Sequence, residues 1–300
     1  MSTQAQPLEG TPDGHAAPQS GIVWIASFPK SGNTWTRSFV HNVVKLQSGE
    51  KGEQDINEMA RFSTWDLNKE IYAEYLGFQP DHEKHRNEIA ATRHRVHQHI
   101  ADAVQGILFV KTHNALLIDR GHSTINFAVT AGAVYIVRNP LDVAVSYAHH
   151  MGKPVDVAIE MMAAQDIETL GSDKAVYEVY GSWTQHVWSW TRNPHRALYV
   201  MRYEDMLADP ARSFGGLARH LLLDPTPDQL REAIELSSFE RLQTQEKQRG
   251  FRERPEYSDQ NFFREGRAGQ WKEVLTQAQI DRVVHDHGEQ MRRFDYLPLS

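Results

Sequence analysis

Short apolar runs alternate with longer polar and helix-forming stretches along the chain. A β-branched and aromatic run occupies residues 22–26, and comparable runs occupy residues 106–111, 133–138 and 197–202. Each run has the length and composition of a buried strand and ends at turn or polar residues. Because helical stretches separate the runs, the pattern predicts an α/β fold with a mostly parallel central sheet and helices on both faces.

The first predicted strand passes through a short turn into a helix. After the turn, apolar residues recur at helical spacing: Trp35, Phe39, Val43 and Leu46. Within the turn, Pro29 fixes the backbone, Gly32 permits a positive φ angle, and Lys30 supplies a cation. Amides at the start of a helix carry partial positive charge, so the turn predicts an anion site, with phosphate as the expected anion. The alternative is an ordinary strand–turn–helix unit with an exposed lysine.

Polar side chains follow the apolar part of three predicted strands. Lys30 follows the first strand, Lys111 and His113 end the second, and Arg138 ends the third. Ligands of open α/β sheets bind at the carboxyl edge of the strands. The sequence therefore predicts that these four residues converge on one crevice.

Other stretches give coarser predictions. Residues 1–20 contain several prolines and glycines and few large apolar residues, which predicts a disordered tail before a single domain at residues 21–300. Residues 56–105 are predicted to form a helical cover over one end of the domain. The aromatic-rich residues 176–190 are predicted to form a core helix. Residues 241–272 are basic and contain three glycines, which favours a loop.

Composition limits the classes of function. The net charge of -7 gives no general attraction for nucleic acid or anionic membranes, so a polyanion site must be local. The chain has no cysteine, which excludes disulfides and thiol catalysis. No apolar run approaches ~20 residues, and the N-terminus lacks a charged-then-apolar leader. These features predict a soluble, cytoplasmic protein without a membrane anchor.

Four motifs together resemble the cytosolic sulfotransferase family, which uses 3′-phosphoadenosine 5′-phosphosulfate (PAPS). They are FPKSGNTW from residue 28, KTH from residue 111, YIVRNPLDVAVSY from residue 135 and FFREGRAGQWK from residue 262. The shorter motifs YGSWTQHV and YEDM fall between the third and fourth, as the family orders them. The resemblance covers roughly residues 22–276. It implies a P-loop-like strand–loop–helix unit, although the Walker order of glycine, lysine and serine or threonine is absent.

The resemblance implies in-line transfer of a sulfonate group from PAPS to a hydroxyl or amine of a small-molecule acceptor, leaving the product PAP. His113 would act as general base, because an imidazole with a pKa near ~6.5 accepts a proton at neutral pH. Lys30 would contact the 5′-phosphate and the bridging oxygen, and Lys111 would steady the sulfonate. Amides and hydroxyls for the 5′-phosphate would come from Ser31, Gly32, Asn33 and Thr34.

The family pattern also assigns the 3′-phosphate and the nucleoside. Arg138 and Ser146 would bind the 3′-phosphate, joined by Arg264 and the backbone around Gly266, so that residues 241–272 close over the nucleotide. Further positions near the nucleotide would be Trp35, Tyr203, Ser237 and Phe239, and Trp65 is a candidate for stacking on adenine. Glu265 is also placed among the nucleotide-binding positions, but it departs from the family, where lysine is common, so Arg264 or Arg267 would take over its phosphate contact. Asn33 also departs from the family, where threonine is common.

Two other classes of function stay open. A P-loop kinase would need a Walker loop and a magnesium carboxylate, and a non-catalytic nucleotide-binding scaffold would show no turnover. No metal is expected, since His94 and His97 are predicted to lie on a solvated helix. The acceptor pocket is expected to be lined by residues 59–80 and 149–160 and the loop before Phe262. Lys247 and Glu256 have the outer spacing of the family's dimer segment, which makes a homodimer an open prediction.

Overall fold

The computed structural model describes residues 20–59, 63–254 and 261–298. The predicted disordered tail lies outside these residues except for Ser20, and Glu256 of the dimer segment also lies outside them. None of the helices in the described ranges is long and apolar enough to cross a membrane.

Five strands form the central sheet in the order β2-β3-β1-β6-β7, and two short strands form a separate hairpin. Their bounds are β1 Gly21–Ser27, β2 Ser63–Trp65, β3 Ile107–Thr112, β4 Ile118–Asp119, β5 His122–Ser123, β6 Thr130–Val137 and β7 Leu198–Arg202. Strand β1 pairs in parallel with β3, and β3 pairs in parallel with β2. The four predicted strands and the mostly parallel sheet are confirmed. The sequence does not predict β2, because three residues are too few for a period-2 signal.

Twelve α-helices are described. They are α1 Asn33–Gln47, α2 Lys69–Leu76, α3 Arg86–Asp102, α4 Pro140–Met151, α5 Val155–Ala163, α6 Trp183–Thr191, α7 Tyr203–Ala208, α8 Pro210–His220, α9 Pro227–Leu236, α10 Phe239–Arg249, α11 Trp271–Val274 and α12 Gln277–Arg293. Single 3₁₀ turns lie at Ile56–Glu58 and Phe127–Val129.

Helix α4 begins with a residue pair that is typical of helix starts. The Asn139 side chain accepts a hydrogen bond from the amide of Leu141 at 3.0 Å, and Pro140 occupies the first helical position, where its missing N–H costs nothing. Gly152 ends the helix in the left-handed conformation. The helix therefore starts immediately after Arg138 and the end of β6.

The predicted core helix at residues 176–190 is wrong over its first half. Helix α6 begins at Trp183, after Ser182, whose side chain accepts from the amide of Gln185 in a capping box. Gly181 has a φ angle of 59°, which breaks the helical path before the cap. Val179 instead forms an antiparallel bridge with Glu168. The segment is buried as expected, but its first half is extended.

The predicted loop at residues 241–272 is also partly wrong. Helix α10 continues to Arg249, and the side chain of Ser238 caps its start. Local charge favours a loop, but packing decides here: Leu242, Phe251 and Phe263 are buried in one apolar cluster. The irregular part that the structure describes is limited to residues 250–254 and 261–270.

The described residues form two compact units. Unit 1 comprises the described parts of Met1–Phe28, Ser63–Tyr135 and Ala164–Leu198, and Trp24, Tyr72 and Trp183 are fully buried in it. Unit 2 comprises the described parts of Pro29–Phe62, Ile136–Ala163 and Tyr199–Ser300, and its core includes Phe39, whose ring stacks on Phe214 at 4.4 Å.

Candidate active site

The turn after β1 holds Lys30 in a backbone conformation that L-residues rarely adopt. Its φ angle is 66°, in the left-handed region. Such a residue costs about 1–3 kcal/mol and persists where the surrounding structure fixes it, commonly at a functional site. The Lys30 ammonium lies 3.8 Å from the centre of the Phe262 ring, so this aromatic face stabilises the cation.

Helix α1 begins with the geometry of an anion site. Gly32 is the N-cap residue with a φ angle of 107°, no side chain caps the helix, and its first turn contains no acidic residue. A Cβ atom at Gly32 would lie 2.8 Å from the Tyr203 ring, so glycine is required for space as well as conformation. The buried hydroxyl of Ser31 has no hydrogen-bond partner within the described ranges. Amide and hydroxyl donors are thus gathered at one helix start.

The buried Arg138 side chain joins three segments of unit 2. Its Nη1 donates to the carbonyl oxygen of Lys30 at 2.9 Å, and its Nη2 donates to that of Arg267 at 3.2 Å. The guanidinium carbon lies 4.2 Å from the centre of the Tyr203 ring. The Nε–H has no partner among the described residues. Arg138 is therefore fixed in place with a donor left for an anion.

The aromatic residues expected near the nucleotide lie in one region of unit 2. The rings of Trp35 and Tyr203 meet edge to face at 5.8 Å, and Trp35 and Phe239 both pack against the cluster that contains Phe263. A Cβ atom at Gly266 would lie 2.2 Å from the Phe239 ring, so the backbone of the last motif runs directly over this ring.

The two serines assigned to the nucleotide differ in what their side chains do. Ser146 lies half-buried on α4. Ser237 is fully buried, and its hydroxyl donates to the carbonyl oxygen of Ala233 at 2.7 Å. The hydroxyl hydrogen of Ser237 is thus used by a carbonyl oxygen at the end of the same helix. The lone pairs of the hydroxyl oxygen can still accept a hydrogen bond from a ligand.

Asp142 fixes the last motif onto helix α4. Its two carboxylate oxygens accept from the amides of Gly269 at 2.6 Å and Trp271 at 3.1 Å. Sequence reasoning missed this role, because a carboxylate in a first helical turn is explained by the helix dipole alone. No local sequence pattern predicts a hydrogen-bond partner 127 positions away.

Glu265 pairs with the cations of its own motif. Its carboxylate lies 3.0 Å from Arg264 and 2.7 Å from Arg267, and Arg267 also pairs with Glu273 at 2.6 Å. Arg264 also donates to the side chain of Gln270. The departure from the family's lysine thus places an anion beside the arginines expected to bind a phosphate.

The second departure, Asn33, has a structural partner. Its carboxamide oxygen accepts from Nε of the buried Arg37 at 3.0 Å, and Arg37 also donates to the Thr34 hydroxyl at 3.3 Å. The same guanidinium forms two hydrogen bonds of 2.8 and 2.7 Å with Glu253. Arg37 therefore connects the first turn of α1 to residues 251–254, although it belongs to none of the motifs.

In unit 1, the ring of His113 is oriented by the end of β1. Its Nδ1 lies 2.7 Å from the carbonyl oxygen of Ser27, and a carbonyl oxygen accepts hydrogen bonds only. Nδ1 therefore carries the hydrogen in the neutral ring, and the lone pair resides on Nε2. The Tyr180 ring meets the imidazole edge to face at 6.1 Å. This tautomer is the one that a base acting through Nε2 requires.

The backbone of His113 is held on both sides. Its amide donates to Glu178 Oε1 at 2.8 Å, and its carbonyl oxygen accepts from His186 Nε2 at 3.0 Å. Burial lowers the pKa of His186 to about 3, so this ring is neutral. Its Nδ1 accepts from the Tyr135 hydroxyl at 2.8 Å. The sequence predicts neither Glu178 nor His186 as a site residue.

Lys111 lies on β3 in register with Ile25 and with Trp65, the candidate for adenine stacking. Its charge acts on the buried Glu178. The structure thus brings Lys30 and Arg138 together in unit 2 and places Lys111 and His113 together in unit 1. The convergence of all four residues stays a prediction.

The prediction that His94 and His97 lie on a solvated helix is wrong for His97. His97 is fully buried, and its Nε2 lies 3.1 Å from Asp66 Oδ2, while the half-buried His94 donates to the carbonyl oxygen of Ser123 at 2.8 Å. Apolar packing around Trp24, 4.9 Å from His97, explains the burial. Within the described ranges, no group of three His, Cys, Asp or Glu side chains could hold a metal ion.

A cavity of about 940 Å³ lies in unit 1 at the amino ends of β6 and β7. Trp24, Ile125 and Trp188 contribute to its wall, and Arg120 and Glu168 line one side. None of the described residues in the segments expected to line the acceptor pocket contributes to it. Ligands of open sheets bind at the opposite, carboxyl edge, so this cavity is not assigned to the chemistry.

The sequence family of the sulfotransferase domain matches residues 21–295. Flavonol 3-sulfotransferase of Flaveria bidentis is 25% identical over 87% of this chain and 78% of the relative. Sulfotransferase 1A1 of Canis lupus familiaris is 25% identical over 96% of this chain and 88% of the relative.

Among solved structures, mouse sulfotransferase SULT7A1 complexed with PAP has a TM-score of 0.61 at 18% identity, covering 92% of this chain and 86% of that chain. Retinol dehydratase in complex with retinol and PAP has a TM-score of 0.60 at 18% identity, covering 92% of this chain and 83% of that chain. These structures share the fold described above.

Proposed function

Because the chain belongs to the sulfotransferase domain family, we propose that it transfers a sulfonate group from PAPS to a hydroxyl or amine of a small-molecule acceptor. The observation that carries the proposal is the position of Arg138. Its guanidinium binds the backbone of Lys30 in the first motif and of Arg267 in the last, and it keeps an Nε–H donor without a partner in the described ranges. The two nucleotide-binding motifs thus meet at one buried cation.

The residues of unit 2 fit a nucleotide with two phosphate groups. Ser31 Oγ, Trp35 Nε1 and Arg138 Nε are buried polar atoms without partners in the described ranges, and such atoms are costly unless a ligand or water satisfies them. Gly32 keeps open the space that a Cβ atom would fill. When bound, PAPS supplies the sulfonate group and a phosphate leaving group.

We assign the binding roles by motif. Lys30 and the amides and hydroxyls at the start of α1 bind the 5′-phosphosulfate end, with Lys30 neutralising charge at the oxygen that leaves. Arg138 and Ser146, together with Arg264 and the backbone at Gly266, bind the 3′-phosphate. The nucleoside contacts are Trp35, Tyr203, Ser237 and Phe239.

His113 acts as the general base in this proposal. Its Nδ1–H donates to the Ser27 carbonyl oxygen, so the lone pair that takes the acceptor proton is on Nε2. The positive charge of Lys111, two residues earlier in the chain, stabilises negative charge on the sulfonate oxygens. No metal is required for charge stabilisation by lysines.

The test is an acceptor screen with PAPS, read by mass spectrometry for one added SO₃ group and for an equal amount of PAP. The panel begins with phenols such as flavonols, because one relative acts on that class by name, and continues through alcohols and amines. Sulfonated product with the wild-type chain and its loss in Lys30→Ala supports the proposal. Chelator-sensitive phosphate transfer from ATP, or PAP binding without turnover across the panel, would replace it with a kinase or a nucleotide-binding scaffold.

A further inference from the structure

We propose that Glu178 is a positioning residue for His113: its carboxylate holds the backbone of the base and stabilises the positive charge that the imidazole gains with the acceptor proton. This inference rests on the function proposed above, since it assigns a role within the same site. Glu178 is not part of any motif that carries the family resemblance.

Both carboxylate oxygens of Glu178 accept hydrogen bonds, one from His113 and the other from its neighbour Tyr180. Oε1 accepts from the His113 amide at 2.8 Å, and Oε2 accepts from the Tyr180 hydroxyl at 3.2 Å. The Tyr180 ring in turn meets the imidazole edge to face, with ring centres 6.1 Å apart. One side chain therefore fixes the backbone of the base and an aromatic neighbour of its ring.

The carboxylate is also an electrostatic partner. Glu178 is 7% exposed, so its charge is poorly screened by water. The groups that face it are Lys111 on β3, Asp66 after β2, and its partners His113 and Tyr180. Burial and the charge of Asp66 disfavour the ionised carboxylate and raise its pKa to about 7, while Lys111 favours the ionised form. In its ionised form the carboxylate is held against the His113 amide, and negative charge at that distance favours the imidazolium, so Glu178 strengthens His113 as a base.

The same charge has a consequence for Lys111. A cation aimed at a transferring sulfonate in a buried site needs a counter-charge when no sulfonate is present. The carboxylate of Glu178 provides one from an element other than β3. The charge of Glu178, on the segment before α6, thus acts on both the base His113 and the cation Lys111.

The experiment measures the pKa of His113 directly, by NMR titration of the full chain without PAPS, with the resonance assigned by its loss in His113→Asn. Glu178→Gln keeps the shape and the acceptor for the His113 amide while removing the charge, and it is expected to lower the His113 pKa by about one pH unit, a tenfold change in the protonation equilibrium. The matched control is Glu168→Gln, a partly buried carboxylate in the same unit that pairs with Arg120 instead. The control is expected to leave the His113 pKa unchanged.

An unchanged His113 pKa in Glu178→Gln overturns the inference. If that variant does not fold, Tyr180→Phe removes only the hydroxyl that donates to Oε2, and a smaller lowering of the His113 pKa is expected, with no lowering counting against the proposal. The titration needs no turnover, so its result is independent of whether sulfonate transfer is observed. In the active enzyme, Glu178→Gln is expected to lower kcat about tenfold and to move the acid limb of the kcat/KM profile to lower pH.

Discussion

The Nδ1 atom of His113 lies 2.7 Å from the carbonyl oxygen of Ser27, the last residue of β1. Because β1 and β3 pair in parallel up to Ala26 and Thr112, the strand ends lie side by side, and the carbonyl of one orients the imidazole of the other. The backbone of a rigid sheet therefore selects the tautomer of the candidate base.

Replacing His113 by alanine is expected to reduce turnover by about 10²–10⁴-fold, the usual contribution of a positioned general base. PAP affinity is expected to stay within about twofold, since the nucleotide contacts proposed above lie on other residues. Turnover is measured under saturating PAPS and PAP affinity by calorimetry. His122→Ala, at an exposed position on β5, is the control that should retain activity. Near-normal turnover in His113→Ala would remove it from the mechanism.

Replacing Gly32 by alanine is expected to weaken PAP binding at least tenfold and to lower the thermal midpoint. The new Cβ would lie 2.8 Å from the Tyr203 ring, so either the ring or the start of α1 must move. Gly49→Ala is a matched control, because Gly49 also has a positive φ angle, 82°, but no atom of the described residues lies within 4 Å of its Cβ position. Equal PAP affinity in the two variants would mean that the contact of the Gly32 position with Tyr203 does not affect the nucleotide site.

Replacing Glu265 by glutamine is expected to strengthen PAP binding severalfold. The carboxylate pairs with Arg264 and Arg267, so a phosphate must compete with it for these cations. Titration calorimetry at two salt concentrations measures the effect, which should diminish at the higher one. Glu273→Gln, which removes a pair with Arg267 alone, is expected to change the affinity less. Weaker binding in Glu265→Gln would mean that this carboxylate organises the loop for the ligand.

How much of this could be read from the sequence depends on the range of each signal. The strand–turn–helix unit at Lys30 is set by neighbours within a few residues, and the sequence predicts it. The His113 contacts with Glu178 and His186 span 65 and 73 positions, and the Arg37–Glu253 pair spans 216. No periodicity or local composition encodes such pairs, since tertiary packing brings them together. The helix predicted at residues 176–182 fails for the same reason: apolar content indicates burial, but burial alone does not choose between helix and strand.

The buried His186 gives the folded state a sensitivity to acid. Its pKa is lowered from 6.5 to about 3, so between these values the unfolded chain binds a proton that the folded chain does not. Stability is therefore present above pH 6.5 and lost as the pH falls toward 3, with a limiting slope of about 1.4 kcal/mol per pH unit for one proton. Glu178 acts with the opposite sign: its pKa is raised from 4.5 to about 7, so its contribution is lost as the pH rises through 7.

Urea unfolding between about pH 7 and pH 4.5, within the range where the two states of His186 differ in protonation, measures its contribution. Because Glu178 offsets His186 in this range, the measured quantity is the difference between the wild type and His186→Gln, which has no titrating group at this position. As the pH is lowered, the free energy of unfolding of the wild type is expected to decrease relative to that of His186→Gln, even if the variant is less stable at neutral pH. His195→Gln, at an exposed position, should retain the wild-type slope. Parallel curves for wild type and His186→Gln would show that His186 takes up its proton without unfolding. The folded protein would then accommodate an imidazolium beside the His113 carbonyl oxygen.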